Sequence, residues 1–307
     1  MRDLIDIAAL LVVRAVVALL AILPDKIALA VARIIVAVVL LFFPRSRSVA
    51  LKNLEFCFPE RSIAERESIY RRSLWTLAGT LMAFVHIPRF NREACAAVAA
   101  GSDVVPRLKE MCARGKGVLV IVGHIGTFER NLHLWHNLIG PCSVLARGFG
   151  LPRLDSWWNS RREMWGAKVF ARKGGYSESL RRLENGETVL MLCDQNVKRG
   201  YAIFAPFFGR AAATTKTPAV AVLRTQCVAV FVSAFTDENG VNCIDVEEIV
   251  MPNAPKLSAE EQMAAFTAHI NSCFERVIKK NPEQWFWIHR RWKTRPEGEP
   301  ETLYADL

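Results

Sequence analysis

Gly117-Val118-Leu119-Val120-Ile121-Val122-Gly123-His124-Ile125-Gly126-Thr127-Phe128-Glu129 is the stretch from which the fold can be read. Its first half is an apolar, β-branched run and reads as a buried strand. The run ends at a glycine and delivers a histidine, with a carboxylate five residues later. In open α/β sheets the carboxyl ends of strands are where ligands and catalytic groups collect. A neutral imidazole can take a proton from a hydroxyl, and a carboxylate on its other nitrogen fixes the tautomer and stabilises the imidazolium. Five positions overshoot one helical turn. His124 and Glu129 therefore meet only if the histidine lies in a strand-to-helix turn and the glutamate in the first helical turns. Gly123 and Gly126 permit such a turn. The competing reading is a loop histidine and an unrelated glutamate at a helix start.

Working outward, 307 residues suit one large α/β domain with attachments. Half the chain is apolar, which argues against disorder. Forty Lys plus Arg against thirty Asp plus Glu leave a formal charge of +10, implying an anionic partner. Phospholipid headgroups, a phosphorylated substrate and an acidic protein all qualify. Nucleic acid is not expected, because no recognition motif accompanies the charge. Eight cysteines are scattered without Cys-x-x-Cys or a clustered Cys/His set, so neither zinc nor a disulfide scaffold is supported. They read as small buried hydrophobes in a reducing compartment.

The amino-terminal runs Leu4 to Leu23 and Ile27 to Phe43 are the most lipophilic of the chain. Each is near the length that crosses a bilayer, but Asp6, Arg14 and Arg33 count against clean spans. Asp3, Asp6 and Arg14 share one side of a helical wheel. The broad apolar face that remains suits a helix lying in an interface or one that crosses while packed on protein. A helical hairpin buried in a core is the soluble alternative. A signal peptide is disfavoured by the weak basic start and the lack of a cleavage site. We divide the chain into a hydrophobic membrane-anchor region, 1–44, and a catalytic domain, 45–307, with a basic-aromatic carboxyl-terminal segment. Phe56 to Ser62 reads as a turn before a helix capped by Ser62 with Glu65.

Beyond Glu129, a helix to about Leu138 carries His133 and His136, which face solvent or neighbours. Without His-Glu-x-x-His a catalytic metal is not expected. Ser143 to Arg147, Gly166 to Phe170 and Glu187 to Leu192 read as strands, and Ser177 to Leu183 as an intervening helix. The helix from about Asp155 interleaves Trp157, Trp158 and Trp165 with Arg161 and Arg162. An arginine near the histidine can hold a phosphate or a developing negative charge. Asp194 and Gln195 end a strand and are candidate supports for the site. Pro206 to Arg210 is a bulky apolar patch, Pro218 to Arg224 a helix, and Val228 to Ala234 and Ile244 to Val246 strands. A last helix runs from about Ser258 to Lys279. Trp285, Trp287, Arg290, Arg291, Trp292 and Lys293 pack aromatics beside cations, as a membrane or glycolipid contact would. Thr294 to Leu307 reads as an irregular, weakly ordered tail.

In this order the segments resemble the bacterial lipid A late acyltransferase family (lauroyl/myristoyl-type), within the lysophospholipid/glycerol-phosphate acyltransferase superfamily. The resemblance covers most of the chain. Its residues are His124 to Glu129 as His-x4-Asp/Glu, Asn53-Leu54, Cys57-Phe58-Pro59-Glu60, Arg147, Asp155 and Arg162. Leu192-Cys193-Asp194-Gln195, Pro206-Phe207-Phe208-Gly209 and the Trp-x-Trp-x-His-x-Arg-Trp-Lys pattern from Trp285 complete it. The resemblance implies an α/β fold with a mostly parallel central sheet flanked by helices, like the glycerolipid acyltransferases, and an amino-terminal anchor in the bacterial inner membrane. The catalytic domain would sit on the cytoplasmic face.

It further implies transfer of a fatty acyl chain from acyl carrier protein, without cofactor or metal, to a hydroxyacyl chain of a lipid A precursor. His124 would be the general base and Glu129 its orienting carboxylate. Arg162, or its neighbour Arg161, would be the functional arginine, with Arg147, Asp194 and Gln195 supporting substrate or oxyanion. Between Leu145 and Arg210, 12 Lys/Arg face 6 Asp/Glu, which makes this half a contact surface for acidic partners. An acyltransferase for another glycolipid or phospholipid, and a noncatalytic membrane-binding protein, are the alternatives.

Overall fold

The computed structural model describes residues 2–114, 116–171, 174–237, 241–252 and 256–307. Six strands form a sheet in the order β3 (Lys168–Ala171), β2 (Cys142–Ala146), β4 (Thr188–Leu192), β1 (Val118–Val122), β7 (Val228–Thr236) and β8 (Asn242–Glu248). All neighbours run parallel except β7 and β8, so the sheet is the mostly parallel one the sequence implies. The remaining strands, β5 (Ala202–Phe207) and β6 (Arg210–Thr215), pair as a separate antiparallel hairpin.

Strand β1 shows why its sequence is uninterruptedly apolar. Leu119 and Ile121 enter a core with α9 (Gly175–Glu184), α10 (Thr217–Thr225) and α11 (Ala259–Lys280). Val118, Val120 and Val122 enter a second core with α6 (Val104–Ala113) and α7 (Asn131–Leu138). Alternate side chains of a strand point to opposite faces, so a strand buried on both faces has no polar position to spare.

A third core joins the amino-terminal helices to the rest. In it α1 (Arg2–Ile22) and α2 (Asp25–Leu41) pack on α4 (Ile63–Val85) through Val17, Leu20, Ala28, Ala32, Val36, Ala78 and Met82. The alanines let α2 approach α4 closely. Between α2 and α3 (Arg45–Cys57) the axis turns by 99°. By length and composition α1 can cross a membrane. Helix α4 starts at the expected capping box, with Ser62 and Glu65 each bonded to the other's backbone N–H. Helices α5 (Arg92–Val98) and α8 (Pro152–Arg162) complete the set used below.

Two expectations change. Pro206 to Arg210 is the turn of the β5–β6 hairpin. Phe208 and Gly209 occupy its two loop positions at φ of 51° and 75°, the left-handed geometry a two-residue hairpin needs. Thr294 to Leu307 lacks regular structure but is no loose tail. Tyr304 is 2% exposed, and its hydroxyl donates to Asn53 Oδ1 at 2.6 Å. Asn53 in turn donates to the carbonyls of Trp287 and His289. The Asn53-Leu54 motif thus fastens the carboxyl-terminal segment to α3.

Candidate active site

His124 lies two residues beyond β1, and Asp194 two residues beyond β4. The register Val122↔Leu192 brings the two chain exits side by side. Asp194 is 1% exposed and receives three hydrogen bonds. Its Oδ1 accepts from His124 Nδ1 at 2.8 Å, and its Oδ2 accepts from the His124 backbone N–H at 3.0 Å and from Trp285 Nε1 at 2.9 Å. Burial alone would raise its pKa. The His124 charge and the three bonds outweigh that and hold the carboxyl down to about 2. An ionised Asp194 on Nδ1 places the imidazole proton there and leaves Nε2 with its lone pair. Gly123 makes the approach possible, since a Cβ there would sit 2.5 Å from the Phe274 ring and 3.2 Å from Asp194 Cγ.

The expected His124–Glu129 contact is therefore corrected: the carboxylate on His124 belongs to Asp194. After His124 the chain turns at Gly126, φ +58°, whose N–H donates to Gln284 O and whose carbonyl accepts from Thr80. Phe128–Arg130 then forms a 3-10 turn. This geometry points Glu129 away from the imidazole and toward the last turn of α8. There Arg162 donates two bonds to it, Nε to Oε2 at 2.9 Å and Nη2 to Oε1 at 2.5 Å. Such a fork both orients and neutralises a largely buried pair.

The neighbouring Arg161 does something else. It donates to the carbonyls of Phe84 and Val85, closing the carboxyl end of α4, and its guanidinium lies over the Phe84 ring. Of the two arginines, Arg162 is the one that reaches Glu129.

Beside these groups runs a groove of about 1130 Å³. Val13 and Val16 of α1, Ile35 and Val39 of α2, and Leu81 and Phe84 of α4 line its length, and Phe128, Glu129 and Phe286 one part of its wall. The His124 ring touches that wall, 4.8 Å from Phe128 and 6.0 Å from Phe286 by ring centres. Trp158 also lines the groove, stacked at 3.8 Å on Phe84.

Other candidates fall elsewhere. Arg147 is exposed, without a hydrogen bond among the described residues, and Gln195 is half-buried, likewise unbonded. Asp155 accepts the N–H groups of Phe149 and Gly150 and so shapes the loop before α8. The carboxyl-terminal aromatics are core, contrary to a lipid or glycolipid contact. Trp285, Trp287, Trp292 and Arg291 are at most 3% exposed. Arg291 is held by Ala213 O, Thr214 Oγ1 and Asn271 Oδ1, and burial lowers its pKa to about 10. Only Arg290, on the groove, and Lys293, exposed, remain at the surface.

The sequence did not single out His289 as a support. Its Nε2 accepts the Asn196 N–H at 3.0 Å, steadying the loop that carries Asp194. His133 is fully buried rather than solvent-facing. Cys193 is 1% exposed, and burial with the Asp194 charge pushes its thiol far above the usual range, a poor nucleophile. The fold also gathers Glu247, His269 and Cys273 on β8 and α11. There Glu247 pairs with His269 at 2.5 Å and with Arg276 at 2.7 Å, so a guanidinium already neutralises the carboxylate.

The family model for bacterial lipid A biosynthesis acyltransferases matches residues 3–294. Among curated relatives, the lipid A biosynthesis palmitoleoyltransferase of Escherichia coli (strain K12) is 29% identical over 270 residues, 86% of this chain and 83% of the relative. The lauroyltransferase of the same organism is 28% identical over 269 residues, 84% and 83% of the two chains. Its myristoyltransferase is 27% identical over 262 residues, 83% and 77%.

Proposed function

This chain belongs to the bacterial lipid A biosynthesis acyltransferase family, and from that premise we propose that His124 is the base that moves a fatty acyl chain from acyl carrier protein to a lipid A precursor. The acceptor is the hydroxyl of a hydroxyacyl chain already on the precursor, so the product carries a secondary acyl ester. The observation behind this reading is the free Nε2 of an imidazole anchored by a buried carboxylate, set against the wall of a long apolar groove.

His124 Nε2 takes the hydroxyl proton as the oxygen attacks the thioester carbonyl. Asp194 keeps the imidazole in the required tautomer and stabilises the imidazolium. Negative charge develops on the carbonyl oxygen, and we assign its stabilisation to Arg162, whose Nε and Nη2 are held by Glu129 and whose Nη1 is bonded to no described residue. The carbon–sulfur bond breaks, and the carrier thiolate takes the proton back from His124. No bond to a protein nucleophile forms, and the reaction uses no cofactor. The groove holds acyl chain, which explains its apolar lining.

The enzyme would work at the cytoplasmic face of the Gram-negative inner membrane, where its basic surface meets an acidic carrier and a phosphorylated acceptor. The test is lipid mass spectrometry of acyl-deficient membranes incubated with acyl carrier protein charged with a fatty acid. Wild-type protein should add one acyl mass increment and H124A should be slower by about 10³-fold or more. Turnover by H124A at the wild-type rate would remove His124 as base. An increment on a different glycolipid would replace the acceptor.

A further inference from the structure

Some 20 residues, or ~30 Å of helix, cross a hydrocarbon core, and α1 has 21. A crossing α1 would put one end on each side of the membrane. In this structure both ends are tied to the same body. Near its start Asp6 is 1% exposed, and its carboxylate accepts the backbone N–H groups of Arg153 (2.9 Å) and Leu154 (3.1 Å) at the beginning of α8. Asp3 pairs with the Arg153 side chain at 3.1 Å, and Arg2 donates to Gly150 O at 3.2 Å. Near its end Val17 and Leu20 are buried against α2 and α4. Helix α8 is polar, packs on the sheet edge β3 and carries Arg161 and Arg162. A bilayer crossed by α1 would have to take in α8 and that edge, with their charges.

The exposed surface agrees. Leu4, Leu11, Val12 and Ile22 are each at least 60% exposed and lie on the side of α1 opposite Asp6, Val17 and Leu20. On α2, Ala28, Ala32 and Val36 face the protein, while Ile34 and Leu41, with Phe42 and Phe43 at the bend, are exposed. A one-sided apolar stripe along the whole of two helices is what half-immersed helices present. Arg14, Lys26, Arg33 and Arg45 are exposed along or just beyond it and complement anionic headgroups.

We propose that α1 and α2 lie side-on in a single leaflet of a phospholipid bilayer, without crossing it, and that the groove between them and α4 opens sideways into that leaflet. This rests on the membrane reading above and adds the geometry of attachment.

Full-length protein carrying an epitope at either terminus is tested by adding protease to spheroplasts. Both epitopes should survive, and both should be cut once the membrane is opened. An amino-terminal epitope cut from outside while the carboxyl-terminal one survives would establish a crossing and overturn the proposal. Purified protein should also bind phosphatidylglycerol-containing vesicles. The doubly substituted Leu11→Glu, Ile34→Glu protein, its fold checked by circular dichroism, should partition onto them at least ten-fold less. Unchanged partitioning, or wild-type protein that stays in solution, would equally overturn it. None of these readouts uses acyl transfer, so loss of the acyltransferase reading and loss of this one are separately visible.

Discussion

Asp194 is joined to His124 through a strand register, and Glu129 is kept from it by a turn. Read from sequence, Glu129 is the carboxylate on the imidazole, and Asp194, at a strand end, has only a supporting role. The choice depends on β4 lying beside β1, which places residue 194 against residue 124 although 70 positions separate them. The asymmetry has a measurable consequence. In Asp194→Asn an amide replaces the acceptor on Nδ1, and the imidazole proton moves to Nε2, where it blocks base action. We expect kcat to fall by roughly 10³- to 10⁴-fold, with nitrogen NMR of His124 reporting the exchanged tautomer. Glu129→Gln should lower kcat by disturbing Arg162 while leaving the tautomer of His124 as it is. A tautomer change in the glutamine variant, and none in the asparagine variant, would reverse the assignment.

At the scale of elements, the segment from β1 to α7 carries the site, and its shape depends on one backbone conformation. Gly126 has a φ of +58°, and a methyl group there would run into Phe235. Gly126→Ala is strained on both counts and should cost about 1–3 kcal/mol in urea unfolding, with a larger fractional loss of turnover than of substrate binding. Wild-type stability in that variant would show that the turn tolerates another conformation. The glycine was legible as a turn residue. The hairpin at Phe208 and Gly209 was not, because a phenylalanine at positive φ carries none of the usual Asn-Gly or Asp-Gly signal. The start of α4 was read closely: its capping box acts within one stretch of chain, so no distant partner is needed to see it. The tie between the amino-terminal helices and the site is likewise an element property, since Asp6 on α1 caps α8, whose last turn holds Arg162.

For the whole molecule, the basic-aromatic segment from Trp285 was ambiguous because arginines and tryptophans suit a lipid surface and a hydrogen-bonded core equally well. Only the assembled fold supplies the carbonyls and hydroxyls that bury Arg291. Burial of histidines in the same body sets its acid stability. His133, with no partner on either ring nitrogen among the described residues, and His289 are both pushed by burial from 6.5 down to about 4. Between those values the native rings stay neutral while the unfolded chain binds protons. The stability these two groups contribute is therefore fully present above about pH 6.5 and is lost as the pH falls toward 4, on the order of 3 kcal/mol each at the limit. Asp194 acts in a lower window, from its ordinary 3.8 down to about 2. In His133→Phe an apolar ring of similar shape keeps the stacking on Phe90 and removes one of the buried rings that titrate in the upper window. Its Tm at pH 7 should equal or exceed the wild type, and its decline between pH 6.5 and 4.5 should be shallower. Equal slopes in His133→Phe and wild type, followed by differential scanning fluorimetry across the pH series, would show that buried imidazoles do not govern the acid limb.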